Sequence, residues 1–132
     1  MRGYLALTPD ELAQLLGDDE ISVDTAFVPT GQFKSINPEL GEEESEYILS
    51  LLAAEDSISF QGDSANFSFV LAVDLEPAQM GEESEVEVNL LSPIKFKQVD
   101  CLFVGDANSD NDELTWYAAQ EIAIHLPIWQ AE

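Results

Sequence analysis

Basic side chains are what this sequence has least of. Its 132 residues carry Arg2, Lys34, Lys95 and Lys97 against 27 Asp and Glu, a formal net charge of -23. Nucleic-acid binders use Lys and Arg to displace counterions from phosphates, so no nucleic acid is expected as a partner. Anionic membrane surfaces are excluded by the same repulsion. Long hydrophobic runs are missing too: the longest strongly apolar stretch, Phe67 to Val73, is far too short to span a bilayer. Met1 to Leu7 lacks the apolar segment and small-residue cleavage site of a secretory signal, and acids follow at once. A cytoplasmic protein is the expectation, and a single cysteine, Cys101, fits a reducing compartment.

Scarcity also narrows the chemistry. One histidine and one cysteine cannot assemble a zinc site. His125 sits in the apolar stretch Ile122 to Pro127, which itself contains no acid or thiol, and this predicts a packed or rim histidine. Cys101 lies in a β-like run beside Asp100, where a buried structural thiol is expected. A reactive thiolate needs positive charge, and only Lys95 and Lys97 are close in sequence. Gly-rich phosphate loops are absent, and no cofactor is expected. Asp106, Asn108, Asp110 and Asp112 alternate like the first half of a calcium loop, but Asn111 replaces the turn glycine and Tyr117 stands where the bidentate glutamate belongs. The segment reads as a solvated acidic loop whose affinity for any ion is weak. The aromatic pairs Trp116 with Tyr117 and Phe67 with Phe69 read as core.

What is present is enough for one domain over residues 1–132. Thr8, Pro9 and Glu11 form a capping box with Leu7 and Leu12 as its staple, so strand 2–7 feeds helix 9–16, and Gly17 is placed to end it. Ile21 to Val28 alternates as a strand before a loop with Pro29, Gly31 and Pro38. A second helix starts after Gly41, with Glu42, Glu43 and Glu44 at its positive end. Tyr47, Ile48, Leu51 and Leu52 form its buried stripe, and Ala54 its end. Phe67 to Val73 reads as a central strand forming a hairpin with the alternating Val86, Val88 and Leu90. Ser92-Pro93 reads as a short helical start, Val99 to Val104 as a strand and 105–113 as a polar loop. In the remainder Leu114, Trp116 and Ala118 fit strand alternation while Leu114, Tyr117, Ala118, Ile122 and Leu126 fit a helical stripe, so a strand to about Ala118 and then a helix is favoured over helix throughout. The fold class is α+β: a mixed sheet of about five strands with two or three helices.

The ends carry a resemblance. Arg2, Tyr4-Leu5 and Leu7-Thr8 at the start, with Trp116-Tyr117-Ala118 and Gln120-Glu121 at the end, resemble small acidic actinobacterial proteins grouped as a domain of unknown function. Glu46-Tyr47, Leu71 to Asp74 and Ser92-Pro93-Ile94 resemble their middle, while Ala119 stands where they often have proline. The resemblance implies a bacterial cytosolic protein and transfers no site residue, because no activity is assigned to those proteins.

Charge therefore leads the functional reading: a non-enzymatic protein-binding or regulatory module that meets a basic protein surface. Glu42, Glu43, Glu44, Asp110 and Asp112 are the candidate contact residues, and DNA mimicry is the sharper form of the idea. The alternative is a small enzyme using carboxylates with a divalent metal, for which 106–112 supplies the candidate ligands. A third reading takes the charge as adaptation to a salty cytoplasm. Oligomeric state is left open.

Overall fold

In the computed structural model of the chain, which describes residues 1–62, 65–106 and 114–131, β1 (Arg2–Leu7) runs directly into α1 (Pro9–Asp18). The junction is the expected capping box: the Glu11 N–H donates to Thr8 Oγ1 at 3.3 Å and the Thr8 N–H donates to Glu11 Oε1 at 2.9 Å. Both bonds occupy backbone donors that a helix start would otherwise leave unmet. Leu7 and Leu12 are fully buried on either side. The helix does not stop at Gly17; Asp19 takes the left-handed conformation, φ 63°, and ends it, a role a short polar side chain tolerates.

The chain continues through β2 (Glu20–Ile21), β3 (Thr25–Phe27), α2 (Gly31–Ile36), α3 (Glu42–Gln61), β4 (Phe67–Asp74), β5 (Met80–Ser84), β6 (Glu87–Leu90), β7 (Ile94–Lys95), β8 (Val99–Asp106), β9 (Leu114–Ala118) and α4 (Ile122–Ala131). Seven strands form one sheet in the order β5-β6-β3-β1-β4-β8-β9, and β2 pairs with β7 apart from it. The class is α+β, but every pairing is antiparallel and the strands outnumber the expected five. Two features hid the extra strands. The alternating stretch from Ile21 to Val28 divides into β2 and β3, which join different sheets. The acid-rich segment before Glu85 forms β5 at the sheet edge, where one side of the strand meets water and charge is tolerated. The expected hairpin between Phe67–Val73 and Val86–Leu90 does not form: β4 lies between β1 and β8, while β6 pairs with β5 and β3. Ser92-Pro93 starts no helix, and a single helical turn comes instead at Phe96–Gln98.

Alternation along β1 and β4 divides the core between the two sheet faces. Leu5, Leu7, Phe69, Leu71 and Val73 face α1 and α4, packing with Leu12, Leu15, Ile122, Leu126 and Trp129. Tyr4, Val70, Ala72 and Cys101 face the other way, toward α3 and Phe33 of α2. The α3 stripe differs from its expected position. Leu49, Ser50, Ala53, Ala54 and Ser57 are buried, whereas Tyr47 is 54% exposed. The spacing is the expected one, moved along the helix, because small side chains let the helix backbone lie close to the sheet and the larger residues flank the contact. Ser57 also carries α3 past Ala54. Its hydroxyl donates to the Leu7 carbonyl at 2.6 Å and accepts from the Phe69 N–H at 2.8 Å, tying the helix to the end of the β1–β4 ladder. Gly62, at φ 78°, then terminates it.

Width decides what α3 can cover. Seven strands spaced about 4.8 Å apart span roughly 34 Å, while a helix with its side chains is about 10–12 Å across. Strips of sheet on either side of α3 are therefore left for other elements or for solvent.

Candidate functional site

The residues singled out from the sequence are only partly brought together. Glu42, Glu43 and Glu44 are exposed in the first turn of α3, where Gly41 supplies no side-chain cap. There they complement the positive end of the helix dipole. Asp106 closes β8 opposite Phe67, while Asn108, Asp110 and Asp112 lie outside the described residues. Among the described residues, no group of three or more His, Cys, Asp or Glu is placed to hold a metal ion.

His125 is half-buried, its ring 4.8 Å from that of Tyr117 and stacked on Trp129 at 5.7 Å. That is a packed histidine in an aromatic cluster. Cys101 is buried, as expected, but the cation beside it is not one of the nearby lysines: Arg2 Nη2 lies 3.5 Å from Sγ. The strand order that sets β4 between β1 and β8 brings them together. Burial nevertheless pushes the thiol pKa up; Arg2 and a hydrogen bond with Trp116 oppose it, and Asp100 adds to it. Trp116, read from sequence as core, is 57% exposed. It lies opposite Phe103 on the β8–β9 edge of the sheet.

Along the other flank, the C-terminal half of α3 and the sheet enclose a cleft of about 470 Å³. Its walls carry the carboxylates Glu11, Asp24 and Asp56, with Thr25 and Phe27 of β3 between them and the exposed Phe60 at the rim. None of its lining residues is a Lys, Arg or His. Glu87, paired with Phe27 across β6, feels this concentration of charge. Its carboxyl pKa is raised by burial and then by the neighbouring Asp56 and Glu85, against a hydrogen bond with Thr25. Asp24 and Asp56 are not among the acids singled out from the sequence, and β3, α2 and most of α3 separate them along the chain. The pairing of β3 with β1, and of α3 with both, is what places them on one cleft.

A second cavity, of about 500 Å³, opens where the start of α3 faces α2 and the beginning of β1. Arg2, Lys34, Glu42 and Glu46 are its charged side chains, Met1 brings the N-terminal ammonium group to its edge, and Tyr4, Pro29 and Leu40 contribute apolar wall. Burial works against the Arg2 charge, but Tyr4, Cys101, Glu46 and Asp100 together outweigh it and its pKa is raised. Tyr4 is buried beneath the guanidinium, which sits 5.8 Å above its ring; burial pushes the phenol pKa up to about 12, with Arg2 opposing and Glu46 adding.

Residues 1–112 match the family of unknown function DUF6912, and the chain belongs to that family. No curated protein and no solved structure matches it. No helix among the described residues is long and apolar enough to cross a membrane.

Proposed function

Because a family of unknown function hands over no activity, we propose from the geometry that the protein is a non-enzymatic binding module. It receives a basic, arginine- or lysine-bearing segment of another protein in the acidic cleft beside α3. One observation carries the reading: Glu11, Asp24 and Asp56 line a cleft whose lining residues include no cation. Burial first and then the Asp56 charge raise the pKa of the neighbouring Glu87, and an incoming guanidinium or ammonium group offsets the Asp56 charge. Phe60, exposed at the rim, offers apolar and ring surface to the stem of such a side chain. The net charge of -23 adds long-range attraction that speeds encounter with a basic partner. Where that partner is a DNA-binding protein, the interaction is DNA mimicry.

The test is titration with an arginine-rich peptide and its neutral citrulline counterpart over a range of salt. The arginine peptide binds, and its association slows as salt screens the field over a Debye length of about 8 Å near physiological ionic strength. Asp24→Asn with Asp56→Asn weakens binding by about tenfold, the combined value of two partly exposed ion pairs. Replacing Glu42, Glu43 and Glu44 by Gln weakens it by less than about threefold, through net charge alone. The opposite ranking moves the contact to the start of α3, and equal losses reduce the cleft to bulk charge. Competition by duplex DNA for a DNA-binding partner separates mimicry from other basic surfaces.

A further inference from the structure

The cavity at the start of α3 has a different electrostatic character from the rest of the molecule. Two of the chain's four basic residues, Arg2 and Lys34, line it, and two carboxylates, Glu42 and Glu46, line it with them. Its charged side chains therefore sum to zero in a protein whose formal charge is -23, and the ammonium group of Met1, which also lines it, is paired with Asp74 at 3.4 Å.

The inner pair is the informative one. Arg2 and Glu46 are both half-buried. Glu46 is close enough to raise the pKa of Arg2 and of Tyr4, yet the two are not joined in an ion pair. Arg2 is held from behind, its Nη2 on Cys101 Sγ at 3.5 Å and its Nη1 3.9 Å from Asp100, with its guanidinium over the Tyr4 ring. Glu46 has neither a hydrogen bond nor an ion pair among the described residues. A fixed cation and an unengaged carboxylate thus face one apolar-walled space of about 500 Å³, within the usual size of a small-molecule site.

Charge balance selects the ligand class. A simple anion is repelled by Glu46, Glu42 and the field of the whole protein; a simple cation is repelled by Arg2 and Lys34 where it must settle. A neutral molecule carrying both charges avoids these penalties and is oriented by them. We propose that this cavity binds a small zwitterion with an apolar body, of the class of free α-amino acids with apolar side chains. The carboxylate lies toward Arg2 and Lys34, the ammonium group toward Glu46, and the side chain against Tyr4, Pro29 and Leu40. The site is separate from the acidic cleft, so it stands or falls independently of the basic-segment reading.

The experiment titrates the full chain with L-phenylalanine and L-leucine, following backbone amide shifts and heat of binding. The matched half-molecules are 3-phenylpropionate, which lacks the ammonium group, and phenethylamine, which lacks the carboxylate. At least one of the amino acids binds saturably with shifts concentrated at Tyr4, Leu40 and Glu46. Each half-molecule binds about tenfold or more weaker than L-phenylalanine, the loss expected for one charge-assisted contact. Glu46→Gln brings L-phenylalanine and 3-phenylpropionate to similar affinity, and the exposed Lys34→Gln weakens the amino acid while leaving the melting temperature in place. Absence of saturable shifts at the cavity with both amino acids overturns the proposal. So does 3-phenylpropionate or phenethylamine binding as tightly as L-phenylalanine, or a Glu46→Gln protein that keeps full discrimination.

Discussion

Ser57→Ala is the sharpest test of how the sheet is joined to α3. The Ser57 hydroxyl is buried and bridges two backbone groups at the Leu7–Phe69 register pair, donating to the Leu7 carbonyl and accepting from the Phe69 N–H. Alanine keeps the helix propensity favourable and removes one atom, so the transfer and propensity terms are small. What remains is the loss of two buried hydrogen bonds, to a carbonyl and an N–H that also face each other across the β1–β4 ladder, each worth about 1 kcal/mol or more. Allowing partial relaxation, the loss is about 2–4 kcal/mol, or roughly 10 °C in melting temperature for a chain of this length. Urea unfolding followed by circular dichroism measures it directly. Ser50→Ala is the matched control: its hydroxyl donates to the Tyr47 carbonyl of its own helix at 2.7 Å, a group the helix ladder already engages, so the expected change is within about 0.5 kcal/mol. If Ser57→Ala costs no more than Ser50→Ala, the bridge is not what fixes α3 to the β1–β4 ladder.

The raised pKa of Cys101 keeps it a neutral, buried thiol near neutral pH. Ellman's reagent at about pH 8 therefore reacts with it far more slowly in the native protein than in urea, and equal rates would refute the burial argument. Glu87 provides a pH-dependent test. Its folded-state pKa is raised, so the native protein binds more protons than the unfolded chain in that window, and stability falls as pH rises through it. Glu87→Gln accordingly raises the melting temperature at neutral pH and leaves it nearly unchanged near pH 4, where the carboxyl is largely protonated. A uniform shift at both pH values would show that the side chain acts through packing instead.

Local signals were legible where neighbours in sequence satisfy one another. Thr8 and Glu11 close their box within a single turn, and the nearly continuous apolar character of Phe67 to Val73 marks the central strand, whereas 114–126 fits a helical stripe as well as strand alternation and the pairing with β8 decides for β9. The misread features depend on distant partners. The buried face of α3 could not be ranked by hydrophobicity, because Ser50 and Ser57 lie inside it for closeness and hydrogen bonding while Tyr47 stands outside. The β5 segment reads as an acidic loop until β6 is present to pair with it. The same limit applied to the sites. The candidate contacts read from sequence include Glu42, Glu43 and Glu44, whereas the cleft gathers Glu11, Asp24 and Asp56 from three separate parts of the chain, and the cation near Cys101 comes from the far end of the sequence.

The unequal coverage of the two sheet faces explains why both candidate sites adjoin α3. On one face, α1 and α4 together close over Leu5, Leu71 and Leu102, and Trp129 fills the space beside Phe69 at a ring separation of 5.4 Å. On the other, α3 is aided only by the short α2, whose Phe33 joins the core. Composition then gives each uncovered margin its chemistry. Carboxylates without a cation line the margin along β3, exposed Trp116 faces out on β9, and a balanced set of charges surrounds the space between α2 and α3. A helix inserted over the β3 margin would bury Asp24 and Asp56 without partners, at a cost of several kcal/mol for each desolvated charge. Those carboxylates therefore keep that margin open to water, and the residues that prevent the core from extending there are the same ones to which the proposed function assigns the basic segment.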